Sequence, residues 1–485
     1  MNKYKWTPLA IALAMSASLS HATTDVDIDN DGLIEISTLQ ELDLMRYDLA
    51  GTSLNGDSTG CPATGCIGYE LVADLDFDTN GNGVADAGDL FWNNGEGWEP
   101  VGDTVNWAYA QSKVNGAFTG NFDGNGYSIA NLYIDRPNEN WIGLWANTNG
   151  NILENLIIRN AEVSGANAAG ILSGGVHSTE VSHVRIESSF VSGEKEVGLL
   201  TGRAIGDEES FITNVTVEGQ VYGTHYAAGV IGWLEGNAVG GSYSLQLSNV
   251  ISDVSVSSND STGCISGVAR GVAASNLIIR CPSVEGRNYV GGVFGSLQYG
   301  FISDIFSSAN VDGGNYVGGI IGTMNQSSID RAFVGGEAVT TGGIVGGLVG
   351  QMVNASISNS AAHGLVEGKG ALASGVVNKV RYDVSITNVY SASPLITNPA
   401  FTPAKSGLIS DIYYSATNVN VVNSYWDIDV TGTTTSAGGF GSGQFSADLK
   451  CPVESNDPNC TVSLYLGWDQ SVWDFVSTTD YPVLR

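Results

Sequence analysis

Residues 290–322 read VGGVFGSLQYGFISDIFSSANVDGGNYVGGIIG, so the phrase that opens the stretch, VGGVFG (Val290 to Gly295), returns as VGGIIG (Val317 to Gly322). The same glycine-hinged phrase stands at AGILSG (Ala169 to Gly174), VGLLTG (Val197 to Gly202), AGVIG (Ala228 to Gly232) and GGLVG (Gly346 to Gly350). Between the hinges lies ISDI, centred on Asp304. It recurs as IANL (Asn131), LENL (Asn155), VSHV (His183), ITNV (Asn214), LSNV (Asn249), ASNL (Asn276), IDRA (Arg331), ISNS (Asn359), ITNV (Asn388) and VVNS (Asn423). The spacings are 24, 28, 31, 35, 27, 28, 27, 28, 29 and 35 residues. A period near 28 marks a repeat architecture.

Each unit carries short Val/Ile/Leu runs broken by Gly, Asn, Ser or Asp, and none holds a segment long enough for a two-helix repeat. Strands this short with one recurring corner predict an all-β chain, a right-handed parallel β-helix of about eleven coils, about 50 Å long. Eight of the eleven corner positions are Asn, which tolerates the left-handed backbone and hydrogen-bonds locally. Stacked about 4.8 Å apart, they predict an Asn ladder. Glycine is expected at the other corners, where a Cβ would clash. The coils that swell to 35 residues, before Asn249 and Asn423, are expected to project loops. A Greek-key sandwich with coincidental Asn turns is the competing architecture.

The alternation of VGGVFG and VGGIIG with ISNS and ITNV resembles the GLUG-motif repeat proteins, a group of bacterial surface and secreted proteins, from about Asn131 to Val430. YWDIDVTG (Tyr425 to Gly432) and DYPVLR (Asp480 to Arg485) also look like the ends such chains carry. The resemblance implies the β-helix. For function it implies only a range, from adhesin-like proteins to non-catalytic regions of larger peptidases.

Residues 1–22 read as an export signal: Lys3 and Lys5 precede an apolar run from Trp6 to Leu19, and Ser20, His21 and Ala22 form a small-residue cleavage site. The run is too short for a membrane span and no later stretch qualifies. The mature chain is therefore expected outside a bacterium, secreted or at the cell surface, with the periplasm as the alternative. In an oxidising compartment six cysteines predict disulfides. Nearest neighbours give Cys61 with Cys66, Cys264 with Cys281 and Cys451 with Cys460, among fifteen connectivities.

Fifty acids against 19 bases give a net charge of −31, which argues against nucleic acid and anionic membranes as partners. The imbalance is concentrated: from Asp25 to Asp103 there are 18 acids and one base, Arg46. Such crowding calls for cations. DTNGNGVADAGD (Asp78 to Asp89) places Asp78, Asn80, Asn82, Gly83, the Val84 carbonyl, Asp86 and Asp89 at positions 1, 3, 5, 6, 7, 9 and 12 of an EF-hand-type calcium loop. Alternate oxygens turn inward as such a loop wraps its ion, and glycine permits the sharp bend. DVDIDNDGLIE (Asp25 to Glu35) is a second, less complete match, with Asp27, Asp29, Asp31, Gly32 and Glu35 in place but Thr38 twelfth. Structural calcium is expected at both, with no flanking helix evident on either side of the Asp78–Asp89 loop.

One helix is expected between the two loops, capped by Ser37 and Thr38 with Gln40 and Glu41 as capping-box partners, and with Leu39, Leu42, Met45 and Leu49 as its apolar stripe. Residues 23–114 then form an N-terminal cap, 115–430 the β-helix and 431–485 a C-terminal cap rich in Trp468 and Trp473. Tryptophans at 92, 98, 107, 141 and 145 would either pack the cap against the first coils or stack on sugar rings.

Catalytic signatures are sparse. HSTEVSH (His177 to His183) has the wrong spacing for a zinc HExxH motif, and neither a GxSxG elbow nor a phosphate loop occurs. His225 and His363 read as lone surface or corner residues. Arg159, Arg185, Arg203, Arg270, Arg280, Arg287, Arg331 and Lys369 are scattered along the repeat with no expected cluster, although Arg159 with Arg185, or Arg280 with Arg331, stand near multiples of the period. The sequence therefore reads as a non-catalytic, calcium-stabilised, adhesin-like solenoid for an extracellular glycan or surface protein. A polysaccharide lyase or glycoside hydrolase of the β-helix type is the alternative.

Overall fold

The computed structural model describes residues 25–103, 116–370, 372–398, 405–451, 464–475 and 479–485. The export segment, Trp107 and Cys460 lie outside the described residues. The chain is a parallel β-solenoid: one sheet of 41 strands in which every strand pair is parallel and each strand bonds to its counterpart in the next coil. A single apolar core runs inside it from Ile34 to Trp426.

All eleven predicted corner residues have positive φ, from 46° to 57°. The strand register stacks ten of them, Asn155 to Asn423, into one column, giving about ten turns where the repeat count predicted eleven. The column is a relay of side-chain amides. Asn276 donates to Asn249 Oδ1 (3.2 Å), Asn249 to Asn214 Oδ1 (3.1 Å), and Asn214 meets His183 Nε2 at 3.2 Å. Arg331 has no acceptor, so Asn359 turns to Asp330 instead (2.8 Å), while Arg331 grips Asp304 through two bonds of 2.6 and 2.7 Å.

The exception is Asn131. It stacks on Asn160, and that residue on Ser188, in a second positive-φ column along the flank. The expected corner series includes it, although its spacing of 24 to Asn155 is the shortest of the ten. Replacing Asn249 with Ala should cost about 2 kcal/mol, because two amide bonds and a residue that accepts φ of 56° are lost together. Urea melts of this variant against Ser248→Ala check the figure.

Glycine does mark the hinges, though for closeness of approach: Gly292, Gly319, Gly347 and Gly375 keep ordinary φ. A Cβ on each would strike the carbonyl oxygen of the next glycine in the series, Gly319, Gly347, Gly375 or Gly407. Backbones of successive coils therefore touch along this line, and only hydrogen fits.

At the N-terminal end the ladder continues past residue 115: Gly68–Leu71 pairs with Asn121–Asp123, and Leu33–Ile36 with Gly68–Leu71. The helix Leu39–Leu44 forms as expected. Thr38 accepts from Glu41 N (3.2 Å), the Glu41 carboxylate accepts from Ser37 N (2.9 Å), and Leu39, Leu42 and Met45 are buried in the solenoid core. The long coil before Asn249 projects an antiparallel hairpin, Ala238–Val239 with Ser242–Tyr243, whose Val239 is exposed.

The C-terminal segments lie on the outer flank. Leu449, Tyr465, Trp468 and Trp473 form a second core over Ala361, Tyr390 and Ala392. Disulfides join Cys61 to Cys66 and Cys264 to Cys281. Cys451 is also disulfide-bonded, and Cys460, the partner expected for it, is outside the described residues.

Candidate metal centre and charged flank

Gly32 takes φ of 95° and its N–H donates to Asp27 Oδ2 (3.1 Å), so the chain from Asp27 to Glu35 curls around its own carboxylates as a cation loop does. Asp31 N donates to Asp29 (3.1 Å), Leu33 N to Asp31 (2.8 Å) and Ile28 N to Glu35 Oε1 (2.6 Å). One oxygen each from Asp27, Asp29 and Glu35 falls within 4.8 Å of the others, and the same holds for Asp29, Asp31 and Glu70. Asp27 is fully buried, and its Oδ1, like Glu35 Oε2, has no hydrogen-bond donor.

Glu70 was not foreseen. It arrives by strand pairing, directly opposite Glu35 in the ladder. Thr38, at the twelfth place of the loop, is occupied in capping the helix, and Glu70 brings the carboxylate that this place lacks. Burial, together with the nearby Asp31, Asp29 and Glu35 carboxylates, pushes Glu70 up to about 7. Burial raises Glu35 too. Converging hard oxygens with unsatisfied buried atoms fit a divalent cation such as calcium.

The Asp78–Asp89 loop has the bend but a different interior. Gly83 sits at φ of 81° and Asp78 accepts from Asn82 N (3.0 Å) and Gly83 N (2.7 Å). The side-chain amides of Asn80 and Asn82 donate to Asp86 at 2.9 and 2.7 Å, and Asp86 N donates to Asp89 Oδ2 (3.0 Å). The loop thus closes on itself, and Val84 is exposed. Among the described residues, the grouped carboxylates are those of the Asp25–Glu35 loop and Glu70.

The arginines of the repeat do assemble, contrary to the expectation of scatter. Arg159 (2.9 Å) and Arg185 (3.1 Å) meet on Glu187. Arg280 and Arg331 do not: Arg331 stands in the corner column on Asp304, and Arg280 leaves the strand beyond Ile279. The densest group surrounds Arg203, which binds Glu235 at 2.6 Å and Glu196 at 3.6 Å. Lys195 reaches Glu196 at 3.7 Å, and Trp233 and Tyr226 pack on the two cations. Glu196 is buried, its Oε2 has no hydrogen-bond donor, and burial raises its pKa against the pull of Arg203 and Lys195. His225 stands 3.6 Å from Asp260 beside this group.

His363 is not a surface residue. It is enclosed between Phe333, Tyr390 and Tyr481, 2.7 Å from the Tyr390 hydroxyl. Burial, aided by the Lys450 charge, lowers its pKa from 6.5 to about 4. The unfolded chain therefore binds a proton that the folded chain refuses. The resulting contribution is present above about pH 6.5 and is lost as pH falls through about 4, worth at most about 3 kcal/mol. The stability difference between pH 7 and pH 4 should shrink in His363→Gln; an unchanged difference would refute the assignment.

Of the tryptophans, Trp98 and Trp145 are fully buried and Trp141 nearly so, so they pack the first coils. Trp92 is half-buried and stacks on Tyr133, centroids 5.5 Å apart.

No family model matches the chain. The GLUG resemblance rests on the repeat phrases alone. Halomucin from Haloquadratum walsbyi is 28% identical over 198 residues, 41% of this chain but 2% of its own length. An immunoglobulin A1 protease from Streptococcus pneumoniae is 27% identical over 165 residues, 33% of this chain and 8% of its own. The chain thus spans a small fraction of these curated relatives. A solved structure from Bacteroides ovatus, provisionally named an immunoglobulin A1 protease, aligns with 93% of this chain and 92% of its own at 16% identity, with a TM-score of 0.33. At that score it carries no argument. Among the described residues no helix is long and apolar enough to cross a membrane.

Proposed function

We propose that this chain is a non-catalytic β-solenoid of the bacterial exterior, secreted or held at the surface, that binds a glycan or a surface protein in adhesin-like fashion and is stabilised by calcium at its N-terminal end. The observation that supports it most is the state of the arginines that a polysaccharide-cleaving site would need. Arg159 and Arg185 share Glu187, Arg203 lies between Glu196 and Glu235, and Arg331 holds Asp304. What remains outward is a long, regular flank suited to extended contact. The immunoglobulin A1 protease match covers 8% of that protein, and this sequence has no HExxH, so peptidase activity is not carried over.

Glu196 favours a second reading. A buried carboxyl with a raised pKa, separated from Glu235 by one guanidinium, is the material of a general acid. Incubating the chain, with calcium, against neutral, pectic, alginate and sulfated polysaccharides and immobilised extracellular proteins separates the two. Binding without release of reducing ends is expected. Oligosaccharide release that disappears in Glu196→Gln would establish the enzyme instead.

A further inference from the structure

We infer that the cleft between the Asp78–Asp89 loop and the solenoid flank is a saccharide subsite that takes uncharged hexose units of an extended glycan. The inference rests on the binding function proposed above and gives it a location. The cleft holds about 600 Å³, within the range of small-ligand sites. Trp92 and Tyr133 form one wall as a stacked pair, interplanar angle 17°. Both are half-buried, unlike the sealed Trp98 and Trp145. An aromatic surface of this kind accepts the C–H face of a pyranose ring.

Polar groups stand where the ring hydroxyls would fall. Asn131 and Asn160 occupy consecutive coils of the second positive-φ column, so the two positions repeat at about 4.8 Å, close to the length of one sugar unit. Asn131 already gives one N–H to Asp76 Oδ1 (2.7 Å), which leaves its second N–H and its oxygen for a ligand, and the Asn160 amide can donate and accept. Glu162 lies opposite Tyr133 in the next coil and is exposed, offering carboxylate oxygens to hydroxyl donors.

The track continues beyond the cleft. The outward column of Tyr133 and Glu162 leads to Phe190, and two residues along the same strand Ser192 leads to Tyr222; both aromatics are exposed, Tyr222 by 56%. A linear glycan lying along the solenoid axis would meet a ring at Tyr133, a carboxylate at Glu162 in the next coil, and rings again at Phe190 and Tyr222 in the two after it. Charge selects its class. Asp78, Asp89 and Glu162 line the cleft, no Lys or Arg does among the described residues, and the chain carries −31 overall. Uronates and sulfates are repelled.

Isothermal titration of the full chain with cellotetraose, laminaritetraose, mannotetraose and tetragalacturonate tests the subsite. At least one neutral tetrasaccharide should bind and tetragalacturonate should not. Trp92→Ala should weaken binding about tenfold, Glu162→Gln several-fold, and Tyr414→Ala, an exposed aromatic elsewhere, not at all. Glu162→Gln guards against a folding defect in Trp92→Ala. Neutral-sugar binding undiminished in both variants overturns the location while leaving the binding function. Tighter binding of tetragalacturonate, or of none of the four, overturns the subsite. If the immobilised proteins are also unbound, the proposed function falls with it.

Discussion

Chelation should lower the melting temperature of this protein, and Asp27→Asn or Glu70→Gln should remove most of that response. Asp27 is fully buried with an oxygen that finds no donor, and burial and the surrounding carboxylates push Glu70 up to about 7 against a hydrogen bond from Asn125. An ion bound by the folded state alone contributes RT ln(1 + [L]/Kd), about 2.7 kcal/mol at a hundredfold excess over Kd. The effect should be local to the first coils, where Glu35 and Glu70 face each other across paired strands. Asp78→Ala with Asp89→Ala should change the response less, since that loop closes on its own amides. Differential scanning calorimetry with and without chelator settles both points. A melting curve indifferent to chelator would refute calcium binding. A response carried by Asp78 and Asp89 would move the ion to the other loop.

Gly319→Ala should destabilise the solenoid by about 3 kcal/mol or more, and Gly319→Val should leave no soluble fold. The added Cβ would meet Gly347 O and lie 2.7 Å from Val334 Cγ1. Backbone on one side and core on the other leave it no room, so relief requires spreading two coils and breaking ladder bonds between them. Gly342 provides the control: a Cβ there meets nothing within 4 Å and its φ is ordinary, so Gly342→Ala should be neutral or slightly stabilising. Urea denaturation of the pair should separate them widely. Equal midpoints would show that the coils can part at little cost.

The corners were legible in the sequence because positive φ filters residue identity. Asn214, Asn249 and Asn276 could be placed in one column from spacing alone, and even His183, Asp304 and Arg331 followed from the apolar residues around them. Asn131 was misplaced because a neighbouring column selects the same residue type. What could not be read was contact between coils. Glu35 and Glu70 are 35 residues apart, Arg203 and Glu235 are 32, and Arg159 and Glu187 are 28. Coil length varies over the same range, so no single period says which side chains stack. The Arg203 cluster and the Glu70 contribution to the metal site emerge only when the register is known. Half-burial of Trp92 amid buried tryptophans was hidden for a similar reason: it depends on a loop folding back over the flank.

The Asp304–Arg331 pair has a bearing on how such a chain can change length. Excising residues 304–330 would remove one whole turn and bring Arg331 directly onto Asn276, whose carboxamide oxygen can accept from the guanidinium. The strands on either side would meet in matching phase, apolar residue over apolar residue. In-frame recombination between neighbouring repeats would therefore yield shorter or longer molecules that still close, and the Asp304–Arg331 pair need not survive intact, because the corner accepts Arg331 on an Asn as well as on an Asp. Relatives differing by whole turns should carry, one turn ahead of any arginine at this corner, a residue with a side-chain oxygen that can accept from it, Asp or Asn.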